Sequence, residues 1–289
     1  MTKTIRNQPN ILWICSDQQR WDTLGCYGNE FVETPTLDRL SREGVHFENA
    51  FCQSPICTPS RASFLTGRYP RTTRCRQNGQ EIPEDEVILP KILSDAGYTC
   101  GLAGKLHLAP CNPSVSPEME QRTDDGYGVF HWSHHSGDGW ETNAYHQWLK
   151  ARGKTYTECP HPESEHITHG PDADDRQTTW CAEMAIEFIE AKAKSGKPWL
   201  FSVNFFDPHH PFDASEGLLK RYAGCFNDIP LPDYLEGELE DKPPWQRREH
   251  VRAYGGYPFA EMSVQDHRLV RASYFAMCDL IDQQVGRML

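Results

Sequence analysis

The chain has 289 residues and a mass of 33.1 kDa, enough for one large α/β domain or two small ones, with a sizeable core. Its mean hydropathy of -0.68 is polar for an enzyme, but 8 Trp, 11 Tyr and 13 Phe supply core material and argue against global disorder. The 29 basic and 41 acidic residues give a net charge of -12, which disfavours a nucleic-acid partner. No apolar run approaches the length of a transmembrane helix, so we expect no membrane partner either.

The start of the chain contains no apolar stretch of the kind found in secretory signals. We therefore expect a cytoplasmic protein, with a periplasmic or secreted location left open. The 11 cysteines are scattered from Cys15 to Cys278 and form no CxxC pair, so neither a zinc ribbon nor a thioredoxin-like site is predicted. Mostly buried, reduced thiols are the simpler interpretation.

The first third of the chain alternates apolar runs with helix signals. Residues 10–16 (NILWICS) form a continuous apolar run that predicts a buried strand, and polar residues follow at once. Thr34 and Pro35 are typical of a helix start, and the apolar spacing continues that helix to Gly44. The next predicted elements are a strand at 45–51, a helix at 89–96 and a strand at 98–103.

The remainder of the chain continues this alternation with longer interruptions. Segments 110–120 and 155–175, rich in Pro, Asp, His and Ser, are interpreted as surface loops. The further predicted elements are a helix at 178–193, a strand at 199–206 that ends in polar residues, a loop-rich region at 218–256 and a helix at 266–289. This order predicts an α/β fold with a largely parallel sheet.

The last predicted helix carries a wide apolar stripe. Its members are Val270, Tyr274, Met277, Ile281, Val285 and Met288. We expect such a stripe to need cover from a further segment or from a partner subunit, because an uncovered stripe favours aggregation. The sequence is therefore interpreted as the N-terminal part of a larger domain.

Cys57 has the strongest local signal for chemistry. Pro59 places it at or just before the start of a helix, where backbone N–H groups and the helix dipole stabilise anions. Arg61 and Arg68 add positive charge nearby. We expect a thiol in this field to be acidic and reactive, although the spacing alone suits an ordinary buried cysteine equally well.

Four separated motifs resemble the type I, formylglycine-dependent sulfatase family. Residues 57–68 read CTPSRASFLTGR, a complete match to the family signature C-x-P-S-R followed by x4-T-G. Residues 10–28 are similar to the family's first strand and metal-binding turn, 104–107 (GKLH) to its G-K-x-H element, and 208–212 (PHHPF) to its P-H-x-P-F element. The resemblance implies an alkaline-phosphatase-like α/β fold, with helices on both faces of a largely parallel central sheet. Residues 1–289 would then form the N-terminal portion of the catalytic domain, without its C-terminal part.

The resemblance also implies how Cys57 acts. In the family the motif cysteine is oxidised to formylglycine, whose hydrate attacks the sulfur of a sulfate ester and later expels sulfate as the aldehyde re-forms. The implied activity is sulfuric ester hydrolysis, with an aryl or carbohydrate sulfate as substrate. The implied partners are this sulfated small molecule or glycan and a formylglycine-generating maturation enzyme.

Four further residues match family positions at the reaction centre. Arg61 matches the residue that steadies the modified side chain. Lys105 and His107 match residues that hold the sulfate group. His209 matches the histidine that faces the leaving group, and it is a candidate general acid. These roles are implied by the resemblance alone.

A divalent cation is also implied, Ca²⁺ with Mg²⁺ as the alternative, because hard oxygen ligands suit these ions. Asp17, Gln18 and the modified Cys57 match its ligands. Three residues are too few for a cation that takes six to eight oxygens, and the family's second acidic pair lies further along its sequence. Asp279 and Asp282 on the last helix are poor substitutes. We therefore expect these residues alone to bind Ca²⁺ weakly and to turn over little or no substrate.

Two other clusters allow simpler interpretations. His131, His134 and His135 lack the accompanying Cys or Asp spacing of a zinc site. Residues 74–78 (RCRQN) either recognise substrate substituents or form a solvated, charged surface.

Two functions compete with a sulfatase. The first is a phosphonate monoester or phosphodiester hydrolase of the same superfamily, which uses the same modified cysteine and metal. The second is a truncated, non-catalytic paralogue that retains an anion pocket. Rates on an aryl sulfate and on a phenyl phosphonate discriminate between the two hydrolases.

Overall fold

The computed structural model describes residues 8–137, 139–253 and 256–289. The strands are β1 (Ile11–Cys15), β2 (Thr99–Gly104), β3 (Val129–Trp132), β4 (Cys159–His161), β5 (Ser164–His169) and β6 (Trp199–Asn204). The α-helices are α1 (Pro35–Glu43), α2 (Cys57–Thr66), α3 (Pro70–Thr73), α4 (Leu89–Asp95), α5 (Ala144–Ala151), α6 (Gln177–Ala193), α7 (Glu216–Leu219), α8 (Pro244–Arg252) and α9 (Val264–Met288). Short 3-10 turns lie at Trp21–Thr23, Gly25–Tyr27, Ala173–Asp175, Lys220–Gly224 and Phe226–Asp228. None of the helices in these ranges combines the length and apolarity that a membrane crossing requires.

A four-stranded parallel sheet forms the centre of the fold, in the order β1-β6-β2-β3. Leu200 of β6 lies opposite Ile11 of β1, and Trp199 of β6 lies opposite Thr99 of β2. Every residue of β6 is buried, as expected for a central parallel strand covered on both faces, and this explains its near-continuous apolar sequence. The predicted α/β architecture with a parallel sheet is confirmed.

Helices cover both faces of this sheet, as the resemblance implied. On one face α5, α6 and α9 pack in a core that includes Trp180, Phe201 and Ile281. On the other face α2 and the segment around α4 enclose a core that includes Leu65 and Leu200. Neighbouring residues of β6, Leu200 and Phe201, enter different cores because successive side chains of a strand point to opposite faces.

The apolar stripe of α9 is covered within this chain. Met277, Ile281 and Val285 are each at most 2% exposed, and the last two share a core with α6. Ser263 and Asp266 form a capping box that fixes the start of the helix. The expectation that this stripe needs a further segment or a partner subunit is therefore wrong. A stripe read from the sequence does not show which helix of the same chain packs against it.

The predicted strand at 45–51 is absent. This segment pairs with no strand in the described part of the chain, and Val45, Phe47 and Phe51 are well exposed. Its β-branched and aromatic residues favour a strand locally, but a strand needs a neighbour, and local propensity does not provide one.

The segment 155–175 is more regular than the predicted loop. Within it, β4 and β5 form an antiparallel hairpin. Long-range hydrogen bonds hold the hairpin: Thr168 N donates to Phe212 O at 3.2 Å, and Ser164 Oγ donates to Asp266 at 2.7 Å. The stabilising partners, Phe212 and Asp266, lie far from the hairpin in the sequence. The polar composition of the segment itself therefore did not indicate a strand.

Candidate active site

Three parallel strands end at the same edge of the sheet, and the predicted site residues lie there. Asp17 lies just beyond β1, Lys105 directly follows β2, and His209 lies in the turn after β6. Cys57 is the first residue of α2, which starts at this edge. In parallel α/β sheets this edge is the usual ligand site, since the loops that follow the strands converge on it.

Cys57 lies within reach of the carboxylate of Asp17. Its Sγ donates to Asp17 Oδ1 at 3.7 Å. Burial raises the pKa of the Cys57 thiol, Lys105 and Arg61 lower it, and the negative Asp17 raises it further, so the net shift is upward. The expectation of an acidic thiol is therefore wrong, because desolvation and Asp17 outweigh the helix start and the two cations.

A buried ion cluster joins the ends of β1 and β2 to α2. Asp17 Oδ2 accepts from Lys105 Nζ at 2.6 Å and from Arg61 Nη2 at 3.3 Å, and Arg61 Nη1 donates to the Lys105 carbonyl oxygen at 2.8 Å. The three residues are only 7%, 1% and 3% exposed, respectively. Burial alone would raise the pKa of Asp17, but the two cations hold it well below its usual range. Two cations and one carboxylate leave a net positive charge, which attracts an anion.

His107 is held by a buried carboxylate that the sequence analysis missed. Its backbone lies in the left-handed region at φ 56°, and its N–H donates to both oxygens of Glu120, at 2.9 and 2.8 Å. Burial lowers the pKa of His107 to about 2, and Lys105 and Arg61 add to the shift, so the imidazole is neutral. Burial also raises the pKa of Glu120 to about 7.

His134 and Cys111 lie beside His107. The rings of His107 and His134 are 4.4 Å apart at 77°, and one ligand atom from each of the three residues falls within 4.8 Å of the others. Nδ1 of each histidine is buried and has no hydrogen-bond partner among the described residues. A zinc site at His131, His134 and His135 was not predicted, because no Cys or Asp stands at a suitable spacing near them in the sequence. In the structure, His134 lies beside two potential ligands from an earlier segment, His107 and Cys111.

His209 lies beside Asp17 and Cys57. One ligand atom from each of Asp17, Cys57 and His209 lies within 4.8 Å of the others. Burial lowers the pKa of His209 to about 3, and Lys105 contributes further. His210, the neighbouring ring, stacks on His209 with centroids 4.1 Å apart. His209 is therefore a neutral imidazole beside the positive cluster.

The other predicted metal residues occupy different surroundings. Gln18 adopts a left-handed backbone conformation at φ 58°, and its backbone carbonyl oxygen accepts a hydrogen bond from the hydroxyl of Tyr274. Asp279 accepts from Glu33 N at 2.6 Å, and Asp282 caps the start of α1. These two carboxylates of α9 thus form hydrogen bonds within the fold.

A second buried ion cluster supports the turn that carries His209. Arg176 Nη2 donates to Asp207 at 3.0 Å and to Asp213 at 2.8 Å, while the Asp207 carbonyl accepts from Asp17 N at 3.2 Å. Asp207 was recognisable as a polar residue at a strand end. Arg176 stands just before α6 without any local pattern, so only the folded chain reveals its role.

Comparisons with known proteins agree with this geometry. The family model described as Sulfatase matches residues 9–289. The chain is similar to human iduronate 2-sulfatase, with 31% identity over 302 residues that cover 97% of this chain and 50% of the relative. It is 29% identical to an arylsulfatase of Clostridium perfringens, covering 98% of this chain and 59% of the relative. The solved phosphonate monoester hydrolase SpPMH of Silicibacter pomeroyi superposes with a TM-score of 0.78 at 22% identity, covering 97% of this chain and 58% of that one. The chain thus spans about half the length of the curated relatives it matches.

Proposed function

Because the chain belongs to the sulfatase family, we propose that it forms the N-terminal portion of a catalytic domain that hydrolyses a sulfate ester. The substrate is an aryl or carbohydrate sulfate, and a formylglycine-generating enzyme converts Cys57 before catalysis. The carrying observation is that Cys57 meets Asp17 at 3.7 Å where Lys105 and Arg61 also converge.

Lys105 and Arg61 have different roles in binding the sulfate group. Both terminal nitrogens of Arg61 are engaged, with Asp17 and with the Lys105 carbonyl, so Arg61 acts as a positioning residue that orders the cluster. An ammonium has three N–H donors, so Lys105 can hold Asp17 and still donate to a sulfate oxygen. The neutral His107 donates a further ring N–H to the same anion.

His209 is the proton donor for the leaving alcohol. Burial and Lys105 lower its pKa to about 3, so the empty site holds the neutral ring. A bound sulfate group places negative charge beside the ring and raises its pKa. Substrate binding therefore favours the protonated ring, the form that donates a proton to the leaving oxygen.

The residues present fit a hard divalent cation through oxygen donors. Asp17 and Gln18 would hold it, and Thr58 Oγ1 and Asn204 Oδ1 are buried oxygens near this edge with no hydrogen-bond partner in the described residues. When bound, Ca²⁺ or Mg²⁺ supplies positive charge that lowers the pKa of the nucleophile and holds sulfate oxygens. Formylglycine supplies a hydrated aldehyde as that nucleophile.

A phosphonate monoester hydrolase is the second candidate, favoured by the superposition on SpPMH. The test compares kcat/KM for 4-nitrophenyl sulfate and for a phenyl phosphonate ester, using the whole protein that contains this portion, produced together with a maturation enzyme. We expect the sulfate to be the better substrate. Cys57→Ala should abolish turnover, and the exposed Cys52→Ala should retain it. Full turnover by Cys57→Ala refutes the nucleophile, and faster phosphonate cleavage selects the second candidate.

A further inference from the structure

A cavity of about 320 Å³ opens beside the ion cluster. The turn after β6 forms one wall through His210 and Phe212, and the segment from α8 to α9 forms the other through Tyr257 and Phe259. Gln18 contributes to the lining as well. A volume near 300 Å³ is the lower end for small-molecule sites, which suits one ring and its substituents.

Two residues that line the cavity are chain neighbours of residues in the proposed reaction centre. Gln18 is the chain neighbour of Asp17, and His210 is the neighbour of His209. The rings of His209 and His210 stack at 28°. An ester whose sulfur lies at Cys57, beside His209, therefore has its alcohol portion next to this cavity.

Aromatic rings make up most of the wall. Phe212 meets Tyr257 edge-on with centroids 5.2 Å apart, and His210 meets Tyr257 at 6.2 Å. Phe259 packs against His250 at 4.6 Å. Ring faces and edges arranged in this way favour a flat or chair-shaped ring over a linear chain.

The charge on the described wall of the cavity is negative. Among the described lining residues, Glu249 is the only Asp, Glu, Lys or Arg. Burial lowers the pKa of His210 and of His267, so these two rings are neutral as well. Among the described lining residues, a second sulfate or carboxylate on the substrate would meet Glu249 and no Lys or Arg side chain.

We infer that this cavity binds the alcohol portion of the ester and selects an uncharged ring against a ring that carries a second anionic group. The inference rests on the proposed function and refines its substrate class. Glu249 acts as the selecting residue, while Phe212, Tyr257 and Phe259 provide the contact surface for the ring.

The first experiment measures binding of product alcohols and needs no turnover. Calorimetry compares 4-methylphenol, an uncharged ring, with 4-hydroxybenzoate, the same ring with a carboxylate. We expect the uncharged phenol to bind about fivefold more tightly, a modest ratio because Glu249 is exposed and water screens it. Glu249→Gln should reduce the ratio towards one, and Glu236→Gln, an exposed residue outside the cavity, should leave it as in the wild type. Equal binding of the two alcohols, or a ratio insensitive to Glu249→Gln, overturns the inference.

A second experiment separates this inference from the proposed function. Ethyl sulfate is too small to fill the cavity, so its turnover tests the reaction alone. Phe259→Ala should raise KM for 4-methylphenyl sulfate several-fold more than KM for ethyl sulfate. If the phenols bind as expected and no sulfate ester is hydrolysed, the proposed function fails and the cavity assignment stands. If both esters are hydrolysed and Phe259→Ala affects them equally, the cavity assignment fails and the reaction stands.

Discussion

At position 57, two local effects on the thiol oppose each other. The start of α2 favours an anion, but burial and the adjacent Asp17 disfavour one, and their sum raises the pKa of Cys57. The unmodified side chain is therefore a poor nucleophile at neutral pH. This is consistent with the proposal that the chemistry at this position comes from a modified side chain.

Peptide mass spectrometry tests this modification directly. In protein from a host with the maturation enzyme, we expect an aldehyde in place of the thiol at Cys57. Cys52 and Cys75, one exposed and one buried, should remain thiols. An unmodified Cys57 in protein with full sulfatase activity would refute the mechanism.

Replacing Lys105 tests the ion cluster. Lys105→Ala should weaken binding of inorganic sulfate about tenfold or more, because it removes a buried cation from the anion site. It should also lower the free energy of unfolding by about 3 kcal/mol, since Asp17 loses its shorter ion pair. Arg61 still pairs with Asp17, so we expect the domain to remain folded. Calorimetry and urea unfolding measure both effects, and the exposed Lys242→Ala serves as control. Unchanged sulfate binding would exclude Lys105 from the site.

Glu120 should make stability depend on pH. Its pKa is about 7 in the folded protein, raised by burial from an ordinary value of 4.5. Between these values the folded state holds a proton that the unfolded state has released, so stability falls as pH rises through this window. The loss should reach up to about 3 kcal/mol above pH 7. Urea unfolding at several pH values should show this slope in the wild type and in the exposed Glu118→Gln, but a smaller slope in Glu120→Gln. Parallel slopes for Glu120→Gln and the wild type would contradict the assignment.

At the scale of elements, α9 stabilises the start of α1. The carboxylate of Asp282 accepts from Thr36 N at 3.1 Å and from Leu37 N at 2.7 Å, so a side chain from the last helix caps the first one. Thr34 is the N-cap residue that the sequence predicted for α1, yet its side chain makes no capping hydrogen bond. Capping from a distant helix leaves no local pattern to recognise.

This cap leads to a stability prediction. Asp282→Ala should lower the free energy of unfolding by about 1–2 kcal/mol, because two N–H groups of α1 lose their acceptor. Asp282→Asn keeps one acceptor oxygen and should lie between the wild type and the alanine variant. The neighbouring, exposed Gln283→Ala should have little effect. Urea unfolding measures all three, and equal stability of Asp282→Ala and Gln283→Ala would rule out the cap.

The strands differ in how well the sequence predicted them. Residues 199–206 were recognisable because strands buried on both faces have continuous apolar sequences. Residues 10–16 gave the same pattern and do form a strand, but β1 lies at the edge of the sheet and is only half-buried, so the prediction of a buried strand there was wrong. The segment 45–51 also contains β-branched and aromatic residues, but it pairs with no strand among the described residues. Strand pairing at β4 and β5 depends on contacts outside the hairpin, which sequence patterns do not contain.

For the whole molecule, the order of the motifs predicted which residues lie together, whereas their electrostatics were not predicted correctly. Asp17, Cys57, Arg61 and Lys105 meet because parallel strands end at one edge, which the alternation of elements predicted. Charge effects inside the site depend on burial, and burial depends on packing from every element. For that reason the raised pKa of Cys57 and the carboxylate of Glu120 were not predictable.

We expect the described residues to bind calcium weakly. Asp17 and Gln18 offer few oxygens, so we expect a dissociation constant in the range of about 0.1–1 mM or weaker. Asp17→Asn should abolish the remaining binding, and the exposed Asp95→Asn should not change it. Isothermal calorimetry provides the measurement. Tight binding that survives Asp17→Asn would place the metal elsewhere.

Translation order separates the contacting segments in time. Ile11 pairs with Leu200, and Glu33 N donates to a side chain 246 positions later, on Asp279. At about 5–20 residues per second, a ribosome needs roughly 10–50 s to synthesise the intervening chain. For most of that interval the segment around Cys57 has been synthesised but lacks the strands and loops that later shield it. The nascent chain therefore presents this side chain to other enzymes for many seconds before the fold encloses it.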